Sequence, residues 1–189
     1  DDVSTDYAIE FLKQNRDKPF AMVVGFKTPH VPLIPPERAK NRFEGETWRP
    51  VPNMQVRAIY RGPPGPKDVP ATERPTNLNY FRCLSAIDDN VGRMLATLDE
   101  LGLAEDTVVV YASDNGYYQG EHHLGDKRSA YDESLRIPLI LRYPRGVAAG
   151  TVVDKMVLNL DLAPTFLDMA GVPPHADMQG MSWLPLLQG

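Results

Sequence analysis

The first apolar pattern along the chain is helical. Ala8, Ile9, Phe11 and Leu12 supply one face, Ser4 or Thr5 can cap it, Asp6 sits in the first turn, and a short helix running to Asn15 is expected. The pattern changes at Lys18-Pro19. Residues 20–26, Phe-Ala-Met-Val-Val-Gly-Phe, are almost wholly apolar, as in a strand buried on both faces of a sheet. From residue 27 to about residue 79 neither period persists, and proline recurs in Pro35-Pro36 and Pro63-Pro64-Gly65-Pro66. This reads as a long irregular excursion. Loops of such length inside a compact domain are functional or unstructured, so this one is expected to wall a substrate cleft.

The helical period returns over residues 79–101, where Leu84, Ile87, Val91, Met94, Leu95 and Leu98 recur at three- and four-residue steps and Gly102 follows as the stop. Residues 107–111, Thr-Val-Val-Val-Tyr, predict a second buried strand that delivers Ser113-Asp114-Asn115-Gly116 at its end. A third strand is expected over 138–141 and a short one over 152–159. Asp161 can cap a helix over 162–170, with Gly171 as its stop. This order predicts an α/β fold, a largely parallel sheet flanked by helices. In such sheets ligands bind beyond the carboxyl ends of the strands, where His30 and Asp114 both fall.

With 189 residues, 42% hydrophobic and 24% charged, the chain has the size and balance of one globular domain or a large piece of one. A net charge of -5, with lysines and arginines scattered, offers no long-range attraction for a phosphate backbone, so no nucleic-acid partner is expected. No apolar run reaches the roughly 20 residues needed to cross a bilayer, and no targeting signal is visible at the N-terminus. The single cysteine, Cys83, excludes an internal disulfide and a multi-cysteine zinc site. It lies beside Leu84 on the second helix and reads as a buried structural thiol.

Asp114 and Asn115 place a carboxylate and an amide oxygen side by side, the donors that Ca²⁺ or Mg²⁺ require, while Asp-Asn-Gly is equally a good turn sequence. A calcium ion takes about six to eight oxygens, so this pair is at most part of a shell. His30 stands between Pro29 and Val31-Pro32 just after a predicted buried strand, where an imidazole can bind an oxyanion or protonate a leaving oxygen, or simply sit on the surface. Lys127 and Arg128 follow Gly120-Glu121-His122-His123-Leu124-Gly125-Asp126. A lysine there suits a tetrahedral anion, and an ordinary solvated basic pair fits the spacing equally. Adjacent His122 and His123 point differently and no His-Glu-x-x-His helix is present, which disfavours zinc. Asp88 and Asp89 are expected on the helix surface or in contact with a neighbour.

Taken together, Phe26-Lys27-Thr28-Pro29-His30-Val31-Pro32, Ile87-Asp88-Asp89-Asn90-Val91-Gly92, Ser113-Asp114-Asn115-Gly116 and Asp126-Lys127-Arg128 through Arg136-Ile137-Pro138-Leu139-Ile140 resemble the formylglycine-dependent sulfatases of the alkaline phosphatase superfamily. Gln179-Gly180-Met181-Ser182-Trp183-Leu184-Pro185-Leu186-Leu187 looks like the segment that ends the sulfatase core, and Asp-Lys-Arg with Tyr131-Asp132-Glu133 is most similar to the branch of N-acetylglucosamine-6-sulfatases. The resemblance implies an alkaline-phosphatase-like partial catalytic domain over residues 1–189. It implies Asp114 and Asn115 as ligands of Ca²⁺ (or Mg²⁺), His30 and Lys127 as catalytic residues on the sulfate, and Lys27, His122 and Arg128 as substrate contacts. The family nucleophile, a formylglycine made from a Cys-x-Pro-x-Arg stretch, is expected outside this segment, because Cys83 is followed by Leu84-Ser85-Ala86-Ile87. The implied substrate is a sulfated carbohydrate or other small sulfate ester, met in a periplasmic, extracellular or lysosomal compartment. Two alternatives stand beside this reading: a phosphodiesterase or phosphonate monoester hydrolase of the same superfamily, and a non-catalytic glycan-binding domain.

Overall fold

A computed structural model describes residues 1–47, 52–61 and 77–188. The chain divides into two compact units, one made of Asp1–Leu103 with Asn115–Arg136 and the other of Ala104–Asp114 with Ile137–Gly189. The Pro63-Pro64-Gly65-Pro66 part of the expected irregular excursion lies outside the described residues.

In the first unit, helix α1 (Asp2–Gln14) lies against helix α2 (Leu78–Glu100). Thr5, Ala8 and Leu12 are the buried positions of α1, and Cys83, Ala86, Ile87, Asn90, Thr97 and Leu98 those of α2, at the three- and four-residue steps that align side chains on one helical face. The predicted α2 is reproduced to within a residue. Its glycine stop also holds: Gly102 takes φ 69°, a left-handed value open to a residue without Cβ, and the Leu103 amide donates to Leu98 O at 2.9 Å. Helix α1 starts earlier than Ser4 or Thr5 would suggest. Thr5 is fully buried inside it, with its hydroxyl donating to Asp1 O at 3.1 Å.

What draws the first turn of α1 inward is charge. The Asp2 carboxylate accepts from the Arg38 guanidinium and from Asn90 Nδ2 (2.8 Å), Arg38 Nε donates to Asp89 Oδ2 at 3.2 Å, and Arg42 donates to both Asp89 oxygens at 2.9 and 3.2 Å. The same two arginines donate to α2 carbonyls, Arg38 to Ala86 O (3.2 Å) and Arg42 to Ser85 O (3.1 Å). Asp89 is therefore the contact to a neighbouring segment, not bare helix surface. The hydrogen bond from Arg38 holds the Asp2 carboxyl below the usual carboxylate range, and that from Arg42 does the same for Asp89.

Residues 20–26 do not form a strand. Phe20, Met22, Val24 and Phe26 are half-buried while Ala21, Val23 and Gly25 are exposed, an alternation typical of extended chain, and among the described residues no segment pairs with them. Val23 is 97% exposed. The apolar run predicted burial on two faces, and a ladder needs a neighbour for its amides and carbonyls. One face does find cover, with Phe20 meeting Phe11 of α1 edge-on at 6.0 Å.

The second unit carries strands β1 (Val109–Ala112) and β2 (Leu139–Arg142), paired antiparallel with Val110 opposite Leu141 and Tyr111 opposite Ile140. The α/β character expected from the sequence holds, and this two-stranded ladder is antiparallel. The strand expected over 152–159 is absent among the described residues, where Val152 and Met156 are 87% and 90% exposed and lack a pairing partner for their backbone. Helix α4 (Leu162–Met169) ends as predicted at Gly171, φ 68°. Asp161 occupies the cap position without capping: its carboxylate accepts the amides of Leu158 (2.8 Å) and Met181 (2.9 Å), so it ties α4 to the segment ahead of helix α5 (Leu184–Gln188).

Thr165 is the centre of that tie. Fully buried, its hydroxyl donates to Asp161 O at 2.7 Å and accepts the Trp183 amide at 3.0 Å. Thr165→Val keeps the shape and strands a buried N–H, so urea unfolding is expected to show a loss of about 1–3 kcal/mol, with Thr165→Ser losing less. Equal losses would deny the hydroxyl this role. For the first unit the prediction concerns acid. Because the Asp2 and Asp89 carboxyls are depressed in the folded chain, their contribution is complete above the ordinary aspartate range and fades as pH falls below about 4. Asp89→Asn is expected to flatten the acid limb of melting temperature against pH relative to the parent protein.

Candidate active site

The loop that carries His30 is anchored by α1. The Lys27 amide donates to Asp1 Oδ1 at 2.8 Å, and the His30 amide closes a turn onto Lys27 O at 3.0 Å. Within the turn, Lys27 Nζ lies 3.0 Å from His30 Nδ1, and Val31 O lies 2.8 Å from the same nitrogen. The ring itself is exposed. Behind the loop, Asp1, Asp2, Thr28, Pro35 and Cys83 line a small cavity. Cys83 is 1% exposed, the buried structural thiol expected from sequence, and burial pushes its thiol up.

Residues 115–136 form a second polar loop, folded around Tyr118. This side chain is fully buried with Ala58 and Leu124, Tyr131 packs against it, and its hydroxyl donates to Ser129 O (2.8 Å) while receiving Ser129 Oγ (3.1 Å) and the Tyr131 amide (3.2 Å). The phenol thus fixes the chain just after the basic pair, and the Tyr118 amide, donating to Asp126 O at 2.8 Å, fixes it just before. Gly116 sets the start of the loop: its amide donates to Ser134 O at 2.9 Å, and a Cβ there would lie 2.0 Å from Glu133 O. Any side chain would force the loop away from helix α3 (Asp132–Leu135).

Lys127 leaves this loop from a fixed point, because its carbonyl accepts the hydroxyl of buried Ser134 at 2.6 Å. The side chain is half-buried, and among the described residues nothing pairs with its ammonium. Arg128 differs. Its guanidinium side chain is 80% exposed beside Asp126, 3.4 Å away, which matches an ordinary solvated cation. His122 is turned inward. Its ring stacks on Tyr131 at 4.0 Å, Nδ1 lies 3.2 Å from Val56 O and Nε2 3.7 Å from Glu133 Oε2. That placement braces the loop against the segment 52–56 and leaves little of the ring to meet a substrate.

Tyr118, Asn53 and Glu133, whose carboxylate accepts the Asn53 amide, were not legible as site supports in the sequence. Glu133 stood only within the Tyr131-Asp132-Glu133 run, and nothing in spacing links it to residue 53.

Asp114 closes a segment of the second unit and Asn115 opens a segment of the first. Asn115 Nδ2 donates to Gly116 O at 2.7 Å, and Ser113 Oγ approaches Asp114 Oδ1 at 3.5 Å. A carboxylate and an amide oxygen fit a hard cation. They are a partial set, since among the described residues no cluster of three or more histidine, cysteine or acidic side chains can hold a metal.

Of the residues singled out from sequence, Lys27 and His30 are in contact, and Lys127, Arg128 and His122 share the Tyr118 loop in three different settings. Among the described residues no helix is long and apolar enough to cross a membrane.

Residues 1–172 match the Sulfatase family model. The chain is 44% identical over 110 residues to an N-acetylglucosamine-6-O-sulfatase of Bacteroides thetaiotaomicron, covering 58% of this chain and 20% of that protein. It is 35% identical over 204 residues to an extracellular sulfatase SULF-1 homolog of Drosophila melanogaster, with 98% and 18% covered. A structure solved in complex with its substrate D-glucosamine-2-N,6-O-disulfate superposes with a TM-score of 0.83 at 28% identity, over 100% of this chain and 52% of that one. The chain spans about a fifth of the length of those two relatives. A family match over nearly the whole chain, with the alkaline-phosphatase-like α/β fold of its structural neighbours, makes this chain a member of the sulfatase family.

Proposed function

We propose that the protein carrying this chain removes sulfate from a sulfated amino sugar, and that these residues supply part of the sulfate pocket and half of a metal site. The observation that carries the reading is Lys127, a half-buried residue whose backbone is pinned by Ser134 and whose ammonium is unpaired among the described residues. A lysine held at its backbone and without an internal carboxylate can serve an anion as a point charge. Lys127 holds a sulfate oxygen by charge, and His30, exposed on an anchored turn, donates to a second oxygen or to the leaving oxygen.

Asp114 and Asn115 would hold a divalent cation, Ca²⁺ or Mg²⁺, through one carboxylate and one amide oxygen. When bound, that ion neutralises charge on the sulfate and on the nucleophile. The nucleophile, a formylglycine, is expected from residues outside this chain, since Cys83 is followed by Leu84-Ser85-Ala86-Ile87 and lacks the proline and arginine of the Cys-x-Pro-x-Arg stretch. Arg128 lies at the solvated rim, and His122 serves the pocket by bracing its loop. The sugar class follows from the relatives named for N-acetylglucosamine 6-sulfate and from the neighbour solved with a glucosamine disulfate. The named extracellular relatives favour work outside the cytoplasm.

In the full-length protein, Lys127→Ala and His30→Ala are each expected to lower kcat/KM on a 6-sulfated glucosamine by about 10²–10³-fold, the usual cost of removing one preorganised group from a transition-state anion site. Arg128→Ala should stay within about threefold, as befits an exposed pair. Activity untouched in the first two variants would sink the assignment of the pocket, and faster turnover of aryl phosphates or phosphonates than of sulfates would move the protein to the other branch of its superfamily. Chelation is expected to abolish turnover and Ca²⁺ or Mg²⁺ to restore it. In Asp114→Ala, the metal needed for half-maximal activity should rise by at least about tenfold.

A further inference from the structure

We propose that Tyr117 and Gly125 form the subsite that receives the sugar ring next to Lys127. The Tyr117 ring is the platform on which the apolar face of a pyranose lies, and Gly125 is the bare backbone that leaves room for it. This rests on the reading of Lys127 as the holder of the sulfate.

A single exposed aromatic ring calls for no explanation. Tyr117 is set apart by how it is held. It is 40% exposed, and its hydroxyl donates to Gly125 O at 2.7 Å, so the ring is fixed at its far end as well as at its backbone. The backbone is itself held on both sides, by the Gly116 amide on Ser134 O at 2.9 Å and by the Tyr118 amide on Asp126 O at 2.8 Å. Tyr118 sends its ring into the buried cluster, and its neighbour keeps a ring of equal size at the surface. A side chain ordered in advance has little rotamer freedom left to lose when a ligand covers it.

Gly125 supplies the second observation. The other glycines of this loop are accounted for by the protein's own structure: a Cβ on Gly116 would strike Glu133 O, and Gly120 takes a φ of 125°. Gly125 has neither reason. Its φ is not positive, and a Cβ placed on it would meet nothing within 4 Å beyond its chain neighbours. What the missing side chain does is keep clear the space beside the phenol, two residues ahead of the pinned Lys127. A pyranose suits that space. One face carries C–H groups, which an aromatic ring covers well, and the rim carries hydroxyls that keep their contact with water. The arrangement also divides recognition between two groups. An ammonium is a point charge that takes any sulfate, so the ring beneath the sugar supplies the preference for what the sulfate is attached to. Because that contact is made alike before and during the reaction, it governs KM and not kcat.

The test is steady-state kinetics of the full-length protein on N-acetylglucosamine 6-sulfate, with inorganic sulfate as a competitive inhibitor, since the free anion reports on the charged pocket without the sugar. Tyr117→Leu, which removes the ring, is expected to raise KM about tenfold, to keep kcat within about threefold and to leave the inhibition constant of sulfate unchanged. Tyr117→Phe gives up the bond to Gly125 and keeps the ring, so most of the affinity for the sugar should remain. Gly125→Val should raise KM as Tyr117→Leu does, at an unchanged melting temperature, because no atom stands within 4 Å of the added Cβ. If that variant melts early, Gly125→Ala at parent stability carries the same expectation. A parent KM in Tyr117→Leu or in the stable glycine variant overturns the proposal. Equal losses in Tyr117→Phe and Tyr117→Leu, or a matching rise in the inhibition constant of sulfate, overturn it too, since the phenol would then be a brace of the loop. Should Tyr117→Leu raise KM while Lys127→Ala leaves turnover and sulfate inhibition intact, the sugar subsite stands and the assignment of the sulfate pocket fails; the opposite result rejects the subsite alone.

Discussion

The first unit hangs on two neighbouring carboxylates at the start of α1. Asp2 meets Arg38 and Asn90, which joins α1 to α2 and to the chain between them, while Asp1 takes the Lys27 amide and so holds the turn that bears His30. Exposed ion pairs are individually worth less than about 1 kcal/mol, and the side chains of Asp2 and Asp89 are 45% and 31% exposed. Their value lies in direction. Arg38 and Arg42 share Asp89, and each also donates to an α2 carbonyl, so sliding the segment along the helix by one residue would break several bonds at once. The apolar faces of α1 and α2 supply the larger energy, and the charges choose the register in which those faces meet.

The second loop is fixed by different means. A buried phenol with three polar partners and a glycine pressed against a carbonyl position residues 116–136, and both are contacts with no tolerance in size. Each histidine of the His122-His123 pair takes a positive φ, 54° and 59°, which turns the chain sharply enough to send His122 inward onto Tyr131. A loop this tightly determined can present a lysine at a set height above its surface, which a mobile basic tail cannot do.

Much of this was readable before any coordinates, and what was not has a common cause. Helices α2 and α4, with Gly102 and Gly171 as their stops, follow from period and from the left-handed backbone that glycine tolerates, both local properties. The segment 20–26 looked like a doubly buried strand because composition records what a segment would bury and says nothing of whether a partner is beside it. Likewise Asp161 sat where a cap belongs, yet its oxygens went to Leu158 and Met181, the second of them 20 residues away. The basic pair Lys127-Arg128 was visible, but its division into one half-buried and one solvated cation depends on Tyr118 and Ser134, contacts that no spacing rule connects.

That division stands out in a chain with 25 acidic and 20 basic residues, where most cations can expect a carboxylate. Arg38, Arg42, Arg93, Arg145 and Arg128 each have one within ion-pair distance. Lys27 faces a histidine nitrogen instead, and Lys127 meets none among the described residues. The backbone at Lys127 is held by the Ser134 hydroxyl at its own carbonyl and by the Tyr118 phenol at Ser129 O, two residues on. A half-buried lysine that no internal carboxylate neutralises is the kind of group an external anion can satisfy.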